Sequence, residues 1–297
     1  MSHVLVLTAA NADLGDADLR AAEAVFGQVD AQLNDLRWLA PGRAAEMAFN
    51  RGATGEVAGL VRTALQGRAI DANVVPAAGR RKGLLVADME STIIENEMLD
   101  ELADIAGIGE QIAAITKAAM NGELDFYAAI RERVALLRGL SEGALAQSAD
   151  RIRIMPGARA LVATMKANGA YCALVSGGFT WFTSRIRLDL GFDEDRANLL
   201  LVEEGQITGA VGEPILGREA KLAALEELAA ERGLTPEGAV AVGDGANDLA
   251  MLGRAGFGVA YHAKPVVAAA AGIRVDHCDL TALLYLQGYG ADDIVAG

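Results

Sequence analysis

Asp88 and Glu90 stand two residues apart, just beyond the apolar run Leu84-Leu-Val-Ala87. Positions i and i+2 of an extended segment face the same way, so both carboxyl groups can enter one site. Asp244, Asn247 and Asp248 follow a second apolar run, Ala239 to Val242, and Ser176-Gly177-Gly178 follows a third, Ala173 to Val175. Carboxylates arriving from neighbouring strands repel one another unless a hard cation sits among them, and an oxygen-only donor set suits magnesium. Such an ion keeps positions free for water and an anionic oxygen, while the remaining carboxylate is available for proton transfer. Glycines after Ser176 let backbone N–H groups approach an oxyanion. Lys221, in the first turn of a helix beginning near Arg218, is expected beside the stripe Leu222, Leu225, Leu228 and toward the strand ends, where it can neutralise charge.

Singly, each piece has a structural explanation: an Asp after a strand caps a helix, Ser-Gly-Gly turns a chain, a lone lysine is solvated. Their joint placement at successive strand ends favours a site, because ligands of open α/β sheets bind beyond the carboxyl ends of the strands. Gly243-x-Gly245 is not a dinucleotide loop, since Asp248 stands where the third glycine belongs.

The elements that must position these groups alternate between strand and helix. Strands are predicted at Leu84 to Ala87, Tyr171 to Val175, Ala239 to Val242, Gly258 to Tyr261 and Ile273 to Val275. Helices are predicted at Ala158 to Asn168, from Trp181, and at Arg218 to Arg232, Asp248 to Ala255 and Pro265 to Ala271, with a hairpin turning at Glu204-Gly205. This pattern predicts an α/β fold with a doubly wound parallel sheet. A helical insertion at about 96–150 forms a cap over it. Ahead of it, residues 1–76 read as βαββαβ, an α+β ferredoxin-like domain that is regulatory or dimerising. Residues 77–83, rich in Pro, Gly and positive charge, read as a linker, which leaves 84–297 as the second domain.

The 297 residues are 52% apolar, enough for two ordinary cores. With 26 basic against 40 acidic residues, the net charge of −14 argues against nucleic acid or an anionic membrane as partner. Cys172 and Cys278 form no metal-ligand pattern and are expected to be buried thiols. No stretch reads as a signal peptide or a membrane span, so a cytoplasmic protein is expected, with a homodimer as an option.

The order Asp88-Met-Glu90-Ser-Thr92, Ser176-Gly-Gly178, Lys221 and Gly243-Asp244-Gly-Ala-Asn247-Asp248 resembles the four motifs of the haloacid dehalogenase-like hydrolases, from about Leu84 to Asp279. Within that superfamily, Asp88 to Glu97, Met120 to Phe126 and Arg133 are similar to the branch acting on O-phospho-L-serine. The resemblance implies that Asp88 is a covalent nucleophile and Glu90 the acid/base. It implies magnesium held by Asp88, Asp244 and the Glu90 backbone carbonyl, supported by Asp248. Ser176, the Gly177 N–H and Lys221 would hold phosphoryl oxygens, with Asn247 nearby. Glu97 would take the substrate ammonium and Arg133 its carboxylate, while Met120 and Phe126 close over it. The implied reaction is hydrolysis of O-phospho-L-serine to L-serine and phosphate, the last step of serine biosynthesis. Alternatives are a related small-molecule phosphatase or phosphotransferase, or a non-enzymatic phospho-receiver or amino-acid sensor. Glu90 departs from the family's usual Asp by one methylene, which puts the proton-transfer geometry in question.

Overall fold

The computed structural model describes residues 2–50, 54–120 and 123–297, with the side chains of Thr54 and Met120 also outside the description. The first elements are β1 (His3–Ala9), α1 (Asp16–Phe26), β2 (Gln32–Ala40), β3 (Ala44–Asn50), α2 (Thr54–Ala64) and β4 (Ile70–Pro76). They form an antiparallel sheet in the order β2-β3-β1-β4. Along β1 the side chains alternate: Leu5 and Leu7 pack with α1 and α2, whereas Val4 and Val6 join the core of the C-terminal part. Burial on both faces explains why β1 is a continuous apolar run rather than an alternating one.

The chain continues with β5 (Leu84–Ala87), α3 (Met98–Ala106), α4 (Gly109–Met120), α5 (Phe126–Leu136), α6 (Glu142–Ala149) and α7 (Ala158–Ala167). Then come β6 (Tyr171–Phe179), α8 (Thr180–Leu190), β7 (Glu194–Asn198), the hairpin β8 (Leu200–Glu203) and β9 (Gln206–Val211), and α9 (Arg218–Glu231). The last elements are β10 (Ala239–Gly243), α10 (Leu249–Arg254), β11 (Phe257–Tyr261), α11 (Pro265–Ala270), β12 (Ile273–Val275) and α12 (Ala282–Leu286). Six strands pair in parallel in the order β12-β11-β10-β5-β6-β7. Leu85 and Ala87 face one core and Leu84 and Val86 the other, as a central strand of a doubly covered sheet requires. Glu204 and Gly205 both take positive φ, the backbone that a two-residue hairpin turn favours.

One expected placement differs and one strand was not foreseen. β6 runs on through Ser176-Gly177-Gly178 to Phe179, so these residues lie within the strand rather than in a turn after it. β7, Glu194-Asp-Arg-Ala-Asn198, escapes the sequence because an edge strand this polar carries no apolar alternation.

Residues 77–83 form neither helix nor strand, yet they are fastened. The Arg80 guanidinium, almost buried, reaches the Glu46 carboxylate at 2.7 Å and the backbone carbonyls of Tyr285 and Leu286. β4 also lies beside β12: the Asn73 amide donates to the Arg274 carbonyl at 2.7 Å and accepts from its N–H at 2.9 Å.

Cys172 and Cys278 are both buried and unpaired, and burial pushes each thiol up to about 12. The thiolate is the reactive form, so a thiol reagent at neutral pH is expected to label neither cysteine until the protein unfolds. Stoichiometric labelling of the folded chain would contradict this burial.

Candidate active site

Asp88 follows β5, the strand between β10 and β6, and its N–H donates to the Val242 carbonyl of β10. The carboxylate is buried, and one oxygen accepts both from the Met89 N–H at 2.8 Å and from the Lys221 ammonium at 2.7 Å. The same ammonium reaches Asp248 at 2.6 Å. Lys221 is only 2% exposed, on the buried stripe of α9 with Ala224, Leu225 and Leu228 rather than beside it, and Leu222 is partly buried at the margin.

Asp88, Asp244 and Asp248 converge, one carboxylate oxygen from each lying within 4.8 Å of the others. Three acids thus surround one buried cation, with Lys264 a more distant neighbour, 3.9 Å from Asp244 and largely exposed. The electrostatics record the imbalance. Burial would depress Lys221, but Asp88 and Asp248 outweigh it and raise it. Burial pushes Asp88 up to about 7 against the pull of Lys221, with Asp248 adding to the rise, and pushes Asp244 up to about 6. An ammonium shared by two carboxylates beside a third leaves negative charge in excess, and an all-oxygen pocket with that excess fits a hard divalent cation.

Gly243 and Gly245 make the arrangement possible. The Asp248 carboxyl packs across the α-carbon of Gly243 while it accepts from the Gly245 N–H at 3.0 Å. A methyl group at Gly243 overlaps that carboxyl, so Gly243→Ala is expected to dislodge Asp248 from Lys221 and to cost about 1–3 kcal/mol of stability, the range for overpacking. Chemical denaturation checks this; an unchanged midpoint would show that the carboxyl has room to move.

A cavity of about 540 Å³ opens above these groups and is walled by the α3–α5 insertion. Of the sequence-predicted residues, Asp88, Glu90, Glu97, Phe126, Arg133, Gly177, Asp244 and Asn247 line it. Ser176, Lys221 and Asp248 lie buried outside the lining, Ser176 accepting from the Gly178 N–H at 2.9 Å. The Met120 side chain and residues 121–122 fall outside the described residues. Phe126 is 37% exposed and its ring lies over the α-carbon of Gly177.

Glu90 is hydrogen-bonded at one oxygen and closely packed at the other. One accepts from the Met98 N–H at 2.8 Å, at the start of α3; the other lies against the α-carbon of Gly178. The extra methylene therefore spans from the strand end to a helix N-terminus, where a carboxylate is favourable. Burial, with the neighbouring Glu97 charge, pushes Glu90 up to about 8. Glu97 itself accepts from the Ser91 hydroxyl at 2.8 Å. Arg133 donates through Nε to the Ala129 carbonyl of its own helix and makes no ion pair among the described residues. Burial lowers its pKa, while the charges of Glu90, Asp100 and Glu97 oppose that.

Lys264, Asp100 and the apolar Leu99 and Leu124 also line the cavity and were missed by the sequence. Lys264 lies three residues beyond β11, so the strand-end rule applied to a fourth strand finds it. Leu99 and Leu124 gave no signal, because apolar residues in a helical insertion read as core.

Comparison with known proteins agrees with this geometry. The family model described as haloacid dehalogenase-like hydrolase matches residues 85–253. A phosphoserine phosphatase of Archaeoglobus fulgidus is 45% identical over 188 residues, 63% of this chain and 55% of its own length. One from a Polaromonas species is 46% identical over 209 residues, 68% of this chain and 89% of its own length. The match spans only 55–65% of the length of the first three curated relatives. Among solved structures, a probable phosphoserine phosphatase from Vibrio cholerae, in unliganded form, superposes with a TM-score of 0.79 at 32% identity, covering 98% of this chain and 88% of that one.

Proposed function

The chain belongs to the haloacid dehalogenase-like hydrolases, and on that premise we propose that it hydrolyses O-phospho-L-serine to L-serine and phosphate. One observation carries this choice of substrate: Glu97 and Arg133 line the same cavity as Asp88, offering one group of each sign to a ligand that carries an ammonium, a carboxylate and a phosphate. The relatives named phosphoserine phosphatase support the choice.

In the proposed mechanism a carboxylate oxygen of Asp88 attacks phosphorus, an O–P bond forms, and the bond to the serine oxygen breaks. Glu90 gives its proton to the departing alkoxide. Water then attacks the aspartyl-phosphate, Glu90 takes the water's proton, and phosphate and free Asp88 result. Lys221, the Gly177 N–H and Ser176 offset charge on the phosphoryl oxygens, with Asn247 at the rim. Arg133 grips the substrate carboxylate through its free guanidinium edge and Glu97 the ammonium, fixing the phosphate over Asp88. Phe126, and Met120 by its place in the sequence, would shield the site from water.

Magnesium is the proposed metal, held by Asp88, Asp244 and the Glu90 carbonyl, with Asp248 behind. When bound it neutralises phosphoryl charge. Residues 1–76 are proposed as a separate module, 77–83 as its connection, 84–297 as the catalytic unit and 96–150 as its cap. No helix among the described residues is long and apolar enough to cross a membrane. A small-molecule substrate, a cytoplasmic setting and a place in serine biosynthesis complete the proposal.

The experiment compares kcat/KM for O-phospho-L-serine and an aryl phosphate, with magnesium and with EDTA, in the presence and absence of an acceptor alcohol. Phosphoserine is expected to be preferred by more than about tenfold, the worth of one charge-assisted hydrogen bond, and EDTA to remove the activity. Equal use of the aryl ester would overturn the choice of substrate, and a phosphorylated alcohol as main product would make the protein a phosphotransferase.

Glu90→Gln is expected to lower kcat on phosphoserine by about 10²–10⁴-fold, since the amide still accepts from Met98 but carries no transferable proton. Formation of the aspartyl-phosphate from an aryl phosphate, whose leaving group departs unprotonated, should fall much less. Equal losses on both substrates would argue that Glu90 only positions the loop.

A further inference from the structure

We propose that the cavity between α2, β4 and the segment after β12 is a second ligand site, one that takes a small oxyanion through Arg62 and Arg274. It is separate from the catalytic cavity and does not depend on the reaction proposed there.

This cavity is about 490 Å³ and is built from two stretches distant in sequence: residues 62–72, and residues 274, 276 and 277. Three arginines, Arg62, Arg68 and Arg274, line it together with His277, against the two acids Asp71 and Asp276. In a chain of net charge −14 such a concentration of guanidinium groups runs against composition.

The pairing of these charges leaves one cation, Arg62, without an anion and a second, Arg274, only partly engaged. Asp71 is consumed by backbone, its carboxylate accepting from the N–H groups of Asp276, His277 and Cys278 at 2.8, 3.2 and 2.9 Å. Asp276 pairs with Arg274 at 2.7 Å. Arg68 points away to Asp13 and Asp18. Arg62 donates only to the neutral Ala72 carbonyl and the Asn73 side chain, both at 3.0 Å, and forms no ion pair among the described residues. The Arg274 Nε is buried with no hydrogen-bond partner among the described residues.

An unpaired guanidinium nitrogen out of reach of water is costly, and two guanidinium groups lining one cavity repel one another. Burial and then the nearby Arg274 charge depress Arg62 against the opposing pull of Asp276 and Asp71, which places the two guanidinium groups in one another's field. An oxyanion between them offsets the charge of Arg62 and the repulsion between the two groups, because the guanidinium fork matches the spacing of phosphate or carboxylate oxygens. The volume falls within the range of small-ligand pockets, roughly 300–1,000 Å³. Since Arg62 belongs to the N-terminal sheet's layer and Arg274 to the catalytic sheet's edge, a bound oxyanion would tie the two together.

The chain contains three histidines, His3, His262 and His277, and only His277 lines this cavity. NMR of the full chain carrying labelled histidine therefore reports on it apart from any phosphate in the catalytic cavity. Inorganic phosphate and, separately, malonate are titrated in at fixed pH and ionic strength. The His277 signal is expected to shift saturably with at least one of them, with His3 unmoved, and Arg62→Gln should weaken that response by about tenfold or more. Arg274→Gln provides the same comparison should the first variant fold poorly. No saturable shift with either anion, or an unchanged response in the folded variants, would overturn the proposal.

Discussion

Asp88→Asn is expected to lower turnover of O-phospho-L-serine by at least about 10⁴-fold, with substrate affinity retained. The amide has the shape of the carboxylate but is no nucleophile toward phosphorus. Stability should move the other way. Asp88 is one of three carboxylates gathered around a buried lysine, and burial already disfavours its charge. Removing that charge leaves Lys221 paired with Asp248 alone, one cation to one anion, so the metal-free variant should melt no lower than the parent. Kinetics and metal-free melting curves together test this. A variant that is both inactive and clearly destabilised would mean that Asp88 is primarily a structural partner of Lys221.

Lys221→Met should damage both properties. The methionine stem can fill the space on α9, but Asp88 and Asp248 lose the ammonium that contacts them at 2.7 and 2.6 Å. Breaking a buried pair by removing one partner costs about 3–5 kcal/mol, because the charge left behind is uncompensated. Denaturant unfolding should show a fall of that size, and phosphoserine turnover should be lost with it. Adding Asp248→Asn to Lys221→Met should recover part of the stability and none of the activity, which separates folding from catalysis. Were the single substitution neutral to stability, water or the loop after β10 would have to supply the missing charge compensation.

Much of this site was legible in the sequence because its main parts follow buried strands. The apolar runs of β5, β6 and β10 can be read from four or five residues each, and the polar residues after them must lie on one edge of the sheet. The placement of Lys221 was less legible. A lysine in a leucine-rich helix reads as surface, and only the acids facing it explain why it can occupy the buried stripe. β7 was invisible because its edge position lets it be polar. Glu90 was legible as a departure but not as a fit: the Met98 amide that receives its longer side chain is presented by the start of α3, and the bare face of Gly178 comes from a distant strand. The cavity joining α2 to β12 had no sequence signal at all, since Arg62 and Arg274 are separated by most of the chain and are isolated charges in their own segments.

Trapping of the phosphorylated protein decides whether Asp88 is the nucleophile. The magnesium-loaded protein is mixed with O-phospho-L-serine labelled on phosphorus, quenched in acid during turnover, digested and mapped. The expected label is stable to acid, released by hydroxylamine, and confined to the peptide containing Asp88. Phosphate release at the full rate with no label on that peptide, or a label on a different residue, would contradict it.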